Sequence, residues 1–286
     1  MRRQNFGSIC ACLVLLLLPN ISQAAEPVFE GQFIQGGIVF GQAEPGSSIL
    51  LDGTAINTAL ADGSFILGFA RDYNGPAQIT VRAANGGQEQ FSYDIATREF
   101  DIQRIDGLPP KMVTPGPAVQ ARIADDARQA REARVARFDQ KYFKSGFVWP
   151  ALGRISGVYG SQRILNGEPR APHWGIDIAV PTGTPVLAPA DGVVTLAHPD
   201  MYFSGATLFV DHGLGMVSAF LHLDRIDVTV GDVVRQGDVI AHSGSSGRST
   251  GPHLDWRVNV GDVRVDAGLL VPPMPEPAPD QTGATQ

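Results

Sequence analysis

Cysteine is almost missing from this sequence: among 286 residues only Cys10 and Cys12 carry a thiol, and both fall in the first dozen positions. A mature chain without that leader has no disulfide and no thiolate ligand, so a metal site would have to use nitrogen and oxygen donors. Long apolar runs are equally scarce. The run Ile9 to Leu18 is too short to span a bilayer. Preceded by Arg2 and Arg3 and followed by Pro19 and Ser22-Gln23-Ala24, it reads as a secretory signal over residues 1–24, cut after Ala24. A lipid anchor would need a cysteine at the far end of the run, whereas Cys12 precedes most of it. The expected location is therefore periplasmic or secreted, with no membrane insertion after cleavage. A basic excess is missing too. The net charge is −7, and loss of Arg2 and Arg3 makes it more negative, which argues against nucleic acid or an anionic membrane as partner.

What is present is an ordinary globular composition, 43% hydrophobic and 18% charged, with length enough for two domains. Residues 26–106 read as short β-prone stretches such as Ser48-Ile-Leu-Leu51 and Gln78-Ile-Thr-Val-Arg82. They are punctuated by Asp52-Gly53, Asp62-Gly63, Asn74-Gly75 and Asn85-Gly86. An immunoglobulin-like β-sandwich is expected there, suited to spacing or to holding a cell-wall or division protein. Residues 107–117 are a Pro-rich linker. Residues 118–143 read as a connector helix, with Val119, Ile123, Ala127, Ala130 and Phe138 roughly on one face. Residues 147–270 alternate β-branched residues with glycines and predict a larger antiparallel β domain. Residues 271–286 read as a disordered Pro-rich tail. The fold class is thus mostly β.

No histidine precedes His173; all six fall between it and His253. Such clustering raises the prior for a metal or acid-base site, since imidazole is both the commonest zinc ligand and the usual proton carrier near neutral pH. In His173-Trp-Gly-Ile-Asp177 an extended strand would put both polar side chains on one face, with Gly175 between them leaving room. The pentapeptide by itself favours a hydrogen-bonded couple over a metal pair. His253-Leu-Asp255 repeats the pattern after the small-residue loop Gly244 to Gly251. His222 lies in the apolar run Phe220-Leu-His-Leu223, where a lone histidine is more often a satisfied core residue. His198, His212 and His242 read as structural, and Tyr159 and Arg163 as groove residues.

Taken together these segments carry a resemblance. His173-x-x-x-Asp177-Ile-Ala-Val-Pro-Thr-Gly-Thr-Pro-Val, Asp191-Gly-Val-Val, Phe-x-His222-Leu, Gly231-Asp-x-Val-x-x-Gly-Asp-x-Ile240 and Gly247-Arg-Ser-Thr-Gly-Pro-His253-Leu are similar to the lysostaphin-type (LytM-domain) zinc endopeptidases. The match runs over about residues 147–268. The resemblance implies Zn2+ as cofactor, His173 and Asp177 as metal ligands and His222 and His253 as catalytic residues. It implies peptide cross-links of bacterial peptidoglycan as substrate.

The sequence departs from the family at one ligand: Asp255 stands where the third, a histidine, is usual, and Arg257 where a glutamate usually follows. Aspartate is a legitimate zinc ligand, so His173, Asp177 and Asp255 form the expected metal set. The alternative reading is a non-catalytic domain that binds peptidoglycan or activates a cell-wall amidase.

Overall fold

The computed structural model describes residues 25–105, 119–135, 138–165 and 167–275. The expected signal segment, the linker 107–117 and the end of the tail, 276–286, lie outside the described residues.

Short β-prone runs and glycine turns give seven strands first: β1 (Val28–Gly31), β2 (Ile38–Gln42), β3 (Ser48–Leu51), β4 (Thr54–Thr58), β5 (Ser64–Gly68), β6 (Ala77–Arg82) and β7 (Gln88–Tyr93). They form two antiparallel sheets, ordered β1-β2-β5 and β4-β3-β6-β7. At Asp52-Gly53 both residues take positive φ, 50° and 79°. That twist lets a two-residue turn fold β3 directly onto β4. Asn85-Gly86 closes β6 onto β7, whereas Asp62-Gly63 and Asn74-Gly75 carry the chain from one sheet to the other. Val39, Phe65 and Leu67 point between the sheets with Ile49, Ile79 and Val81. Their neighbours Ile38 and Ile66, one position out of phase, point the other way into the C-terminal core.

After β8 (Ile102–Ile105) comes α1 (Gln120–Ala133). It lays Ala130 and Ala133 over Leu196, Met201, Phe209 and Ala219. The helix expected over 118–143 therefore stops at Ala133. The physical reason lies in the chain that follows. The Leu214 amide donates to the Phe138 carbonyl at 3.0 Å, and the Gln140 carbonyl sits where a side chain on Gly213 would begin. The turn at Gly213 thus holds residues 138–140 outside any helix, and Phe138 is not on the helix.

The remaining strands are β9 (Arg154–Gly157), β10 (Gln162–Leu165), β11 (Glu168–Pro169), β12 (Ile176–Ala179), β13 (Pro185–Leu187), β14 (Gly192–Met201), β15 (Gly205–Asp211), β16 (Met216–Ile226), β17 (Val233–Val234), β18 (Val239–Ser243), β19 (Leu254–Val260) and β20 (Val263–Val265). Ten of them form one antiparallel sheet with the spine β17-β14-β15-β16-β19-β12-β9. One face carries Ile178, Leu208, Phe220, Leu254 and Trp256 into the main core. The other carries α1 and, beside it, the polar residues described below.

The N-terminal sheets do not stand apart. β8 pairs in parallel with β10, buried Arg71 donates through Nε to the Gly160 carbonyl at 2.7 Å, and Arg98 pairs with Asp266 at 2.8 Å. The tail is also docked where it begins: the Trp149 indole N–H donates to the Pro272 carbonyl at 2.8 Å, and Met274 packs on the core. Disorder expected from residue 271 is thus corrected for 271–275.

Candidate metal centre

Strand register builds the centre. Asp177 of β12 stands directly opposite Gly157 on one side and Asp255 of β19 on the other, and Asp255 stands opposite Leu221 of β16. Two carboxylates facing each other across adjacent strands repel unless a cation lies between them. Glycines make the space: a Cβ on Gly157 would come within 2.3 Å of Asp177 Oδ2, and one on Gly175 within 2.3 Å of Asp255 Oδ1. Gly175 thus makes room for the Asp255 carboxylate and the stem of Arg257, a sharper requirement than an open path to an ion.

His173 is not on a strand; it lies in the loop that enters β12. The expectation of one strand face for His173 and Asp177 is corrected accordingly, because strand pairing begins only at Ile176. The two side chains still meet. His173 Nε2 lies 3.2 Å from Asp177 Oδ1, yet both atoms are buried and neither has a hydrogen-bond partner. His253 Nε2 lies 3.7 Å from the same oxygen. Ligand atoms of His173, Asp177 and Asp255 fall within 4.8 Å of one another.

This arrangement fits a divalent cation. Donors held at about 2.0–2.1 Å in a tetrahedron sit roughly 3.3 Å apart, close to the His173–Asp177 separation. An orphaned imidazole nitrogen beside an orphaned carboxylate oxygen is what a shared ion would satisfy. Asp255 is the exception. It is 2% exposed and accepts from Arg257 Nε at 2.9 and 3.1 Å and from Nη2 at 2.5 Å. Burial alone would raise its carboxyl pKa. The Arg257 charge and hydrogen bonds, with His173 and His222, outweigh that and hold it below the usual value.

His222 and His253 complete the group, with rings 4.9 Å apart. Both spend Nδ1 on the backbone, His222 on the Ser246 carbonyl at 2.8 Å and His253 on the Gly251 carbonyl at 2.8 Å. Those bonds fix Nδ1 as the protonated nitrogen and leave Nε2 free to accept. His222 is not an ordinary core residue. Its φ is +61°, in the left-handed region that bulky residues avoid. The reason is topological: β16 pairs with β19 up to Leu221 and with β18 from Leu223, so His222 is the point of exchange. Burial lowers its pKa, against the pull of the Ser246 carbonyl and Asp255.

The other histidines are satisfied elsewhere. His212 is fully buried between the Asp191 carbonyl and Ser218 Oγ, His242 lies 2.9 Å from Asp227, and His198 accepts from the Asp200 amide. Tyr159 is not a groove residue: it is 2% exposed and donates to the Arg264 carbonyl. Arg163 is exposed and its Nε reaches Gln103. Sequence reasoning missed the carbonyls of Ser246 and Gly251, which no residue type could signal.

Residues 171–267 match peptidase family M23. This segment is an M23 domain. A crystal structure from Pseudomonas aeruginosa that carries the peptidase M23 name superposes with a TM-score of 0.65 at 29% identity, covering 84% of this chain and 95% of that one. The likeness therefore takes in the N-terminal sheets as well as the M23 domain. Among curated proteins, the peptidoglycan DD-endopeptidase ShyA of Vibrio cholerae is 38% identical over 129 residues, 44% of this chain and 29% of that protein. The DD-carboxypeptidase/endopeptidase Mpg of Neisseria gonorrhoeae is 39% identical over 104 residues, 36% of this chain and 24% of that protein. The chain thus spans less than a third of the length of these two relatives.

Proposed function

We propose that the chain is an exported zinc endopeptidase that hydrolyses peptide cross-links of bacterial peptidoglycan. The observation that carries this reading is the pair of free Nε2 atoms, on His222 and His253, beside the orphaned donors of His173 and Asp177 within an M23 domain. The names of ShyA and Mpg supply the substrate class. His173, Asp177 and Asp255 would hold the ion. Bound zinc would supply Lewis acidity toward the scissile carbonyl and the attacking water. His253 Nε2 would take the water's proton and hand it to the leaving amine, while His222 Nε2, after taking a proton from solvent, would donate a hydrogen bond to the developing oxyanion. The carbonyls of Ser246 and Gly251 keep both rings turned for that exchange. The seven N-terminal strands, split three and four, support an immunoglobulin-like unit that docks another envelope protein.

Zinc content of the purified mature chain and peptide release from purified cell wall test the reading together. His253→Ala should lower turnover by about a hundredfold or more with the melting temperature retained. A protein that holds no zinc after gentle purification and releases nothing sinks it. The Asp255–Arg257 pair favours a second reading, a non-catalytic domain that binds peptidoglycan or activates an amidase. Wall binding without zinc or cleavage would select it.

A further inference from the structure

Beyond the metal centre, the same face of the large sheet turns basic. Arg257 follows Asp255 by two positions on β19 and so shares its face. Arg264 of β20 stands opposite Asn259, itself two beyond Arg257, which makes Arg264 a diagonal neighbour on that face. On the other side Arg257 stands opposite Ala219, and Ala219 opposite Phe209, a row about 10 Å across. Arg134, at the C-terminal end of α1, lays its guanidinium 4.8 Å above the Phe209 ring. Three guanidiniums therefore gather on one face of the sheet around Ala219, whose methyl group is buried beneath α1.

The charges of Arg134 and Arg264 are poorly answered, whereas Arg257 is paired with Asp255. Arg257 spends Nε and Nη2 on Asp255, and among the described residues no hydrogen bond or ion pair engages Nη1. Arg264 rests 5.0 Å from the Trp174 ring. Neither Arg264 nor Arg134 has a side-chain hydrogen bond or ion pair among the described residues, and Asp262 only lends Arg134 a distant favourable charge. Burial, then the charges of Arg264 and Arg257, push Arg134 down to about 10; burial and Arg257 lower Arg264. Both stay cationic at neutral pH. An anion bound from outside would relieve the mutual repulsion of these guanidiniums beside the candidate centre.

The geometry points to a carboxylate-binding strip formed by Arg134, Arg257 and Arg264, which grips a free carboxylate of the peptide that lies along the M23 groove. A carboxylate suits it because guanidinium forks bind that group in two-point fashion and the strip adjoins the place where a peptide must lie. The identity of the peptide rests on the peptidase reading; the anion preference does not.

The test uses the full mature chain and two monomeric stem peptides that contain no cross-link to cut, one with its side-chain carboxylate free and one with it converted to a carboxamide. Dissociation constants come from calorimetry. The free acid should bind about tenfold tighter, and the gap should narrow as salt is raised. In Arg134→Gln and Arg264→Gln, each checked for an unchanged melting temperature, the ratio should fall toward one. Equal affinities in the parent chain, or a gap that survives both substitutions, overturns the proposal, as does binding of an acidic protein segment with no affinity for either peptide. Wall cleavage is read in parallel. Absent cleavage with the gap intact sinks the peptidase reading alone, and cleavage without a gap sinks the strip alone.

Discussion

Replacing Arg257 with leucine isolates the least ordinary feature of the centre. In the parent protein three N–H···O contacts of 2.5 to 3.1 Å join Arg257 to a carboxylate that is 2% exposed. Removing one partner of a buried pair costs about 3–5 kcal/mol, and because the Arg257 side chain is 27% exposed the lower end applies, about 3 kcal/mol. That loss belongs to the zinc-free protein. With the ion present, Asp255 regains a cation, so the same substitution should cost well under half as much. Urea unfolding with a chelator and with excess zinc measures both values. Trp149, Trp174 and Trp256 are all the tryptophans of the chain, so their fluorescence follows the C-terminal sheet. Equal destabilisation in both conditions would show that Asp255 does not touch the ion. No destabilisation in either would refute the account of the pair.

Three further outcomes follow from the same contacts. Gly175→Ala places a methyl group 2.3 Å from Asp255 Oδ1 and 2.6 Å from Arg257 Cγ, and should raise the zinc dissociation constant by about tenfold or more in a chelator competition. His212 titrates at about 4 when folded because burial outweighs its bond to the Asp191 carbonyl, against 6.5 when exposed. The unfolded chain therefore takes up a proton first, so stability is full above pH 6.5 and falls by about 3 kcal/mol on the way to pH 4, a slope that His212→Asn should flatten in urea titrations. Deleting residues 26–106 removes β8, Arg71, Ile38 and Ile66 from their C-terminal partners; the remainder should melt at lower temperature and expose apolar surface to a hydrophobic dye.

The turn dipeptides and alternating runs made the β architecture legible, because glycine turns and period-two patterns are local signals. Which turns close hairpins and which cross between sheets was not legible, since that depends on pairing between distant strands. The helix was overextended for a related reason: nothing near Phe138 announces that the turn at Gly213 will capture it. His173, Asp177, Asp255, His222 and His253 were legible as a candidate set only through the family resemblance that their segments carry together. The geometry behind them was not. His222 points into the group because β16 changes partners there, and an apolar run such as Phe220-Leu-His-Leu223 gives no sign of a left-handed residue.

The same register explains why Asp255 and Arg257 belong together. An aspartate opposite Asp177 brings a second negative charge into a row otherwise formed by Gly157 and Leu221. Period two makes position 257 the next point along β19 on the same face from which a cation can answer it. Arginine reaches back to bind both oxygens, and Gly175 opens the volume that its stem and the carboxylate need. The pair is therefore one structural solution rather than two separate departures. In the proposed site a zinc ion would have to share Asp255 with Arg257 or draw one oxygen away from it, so the strength of that guanidinium–carboxylate contact would enter directly into metal affinity.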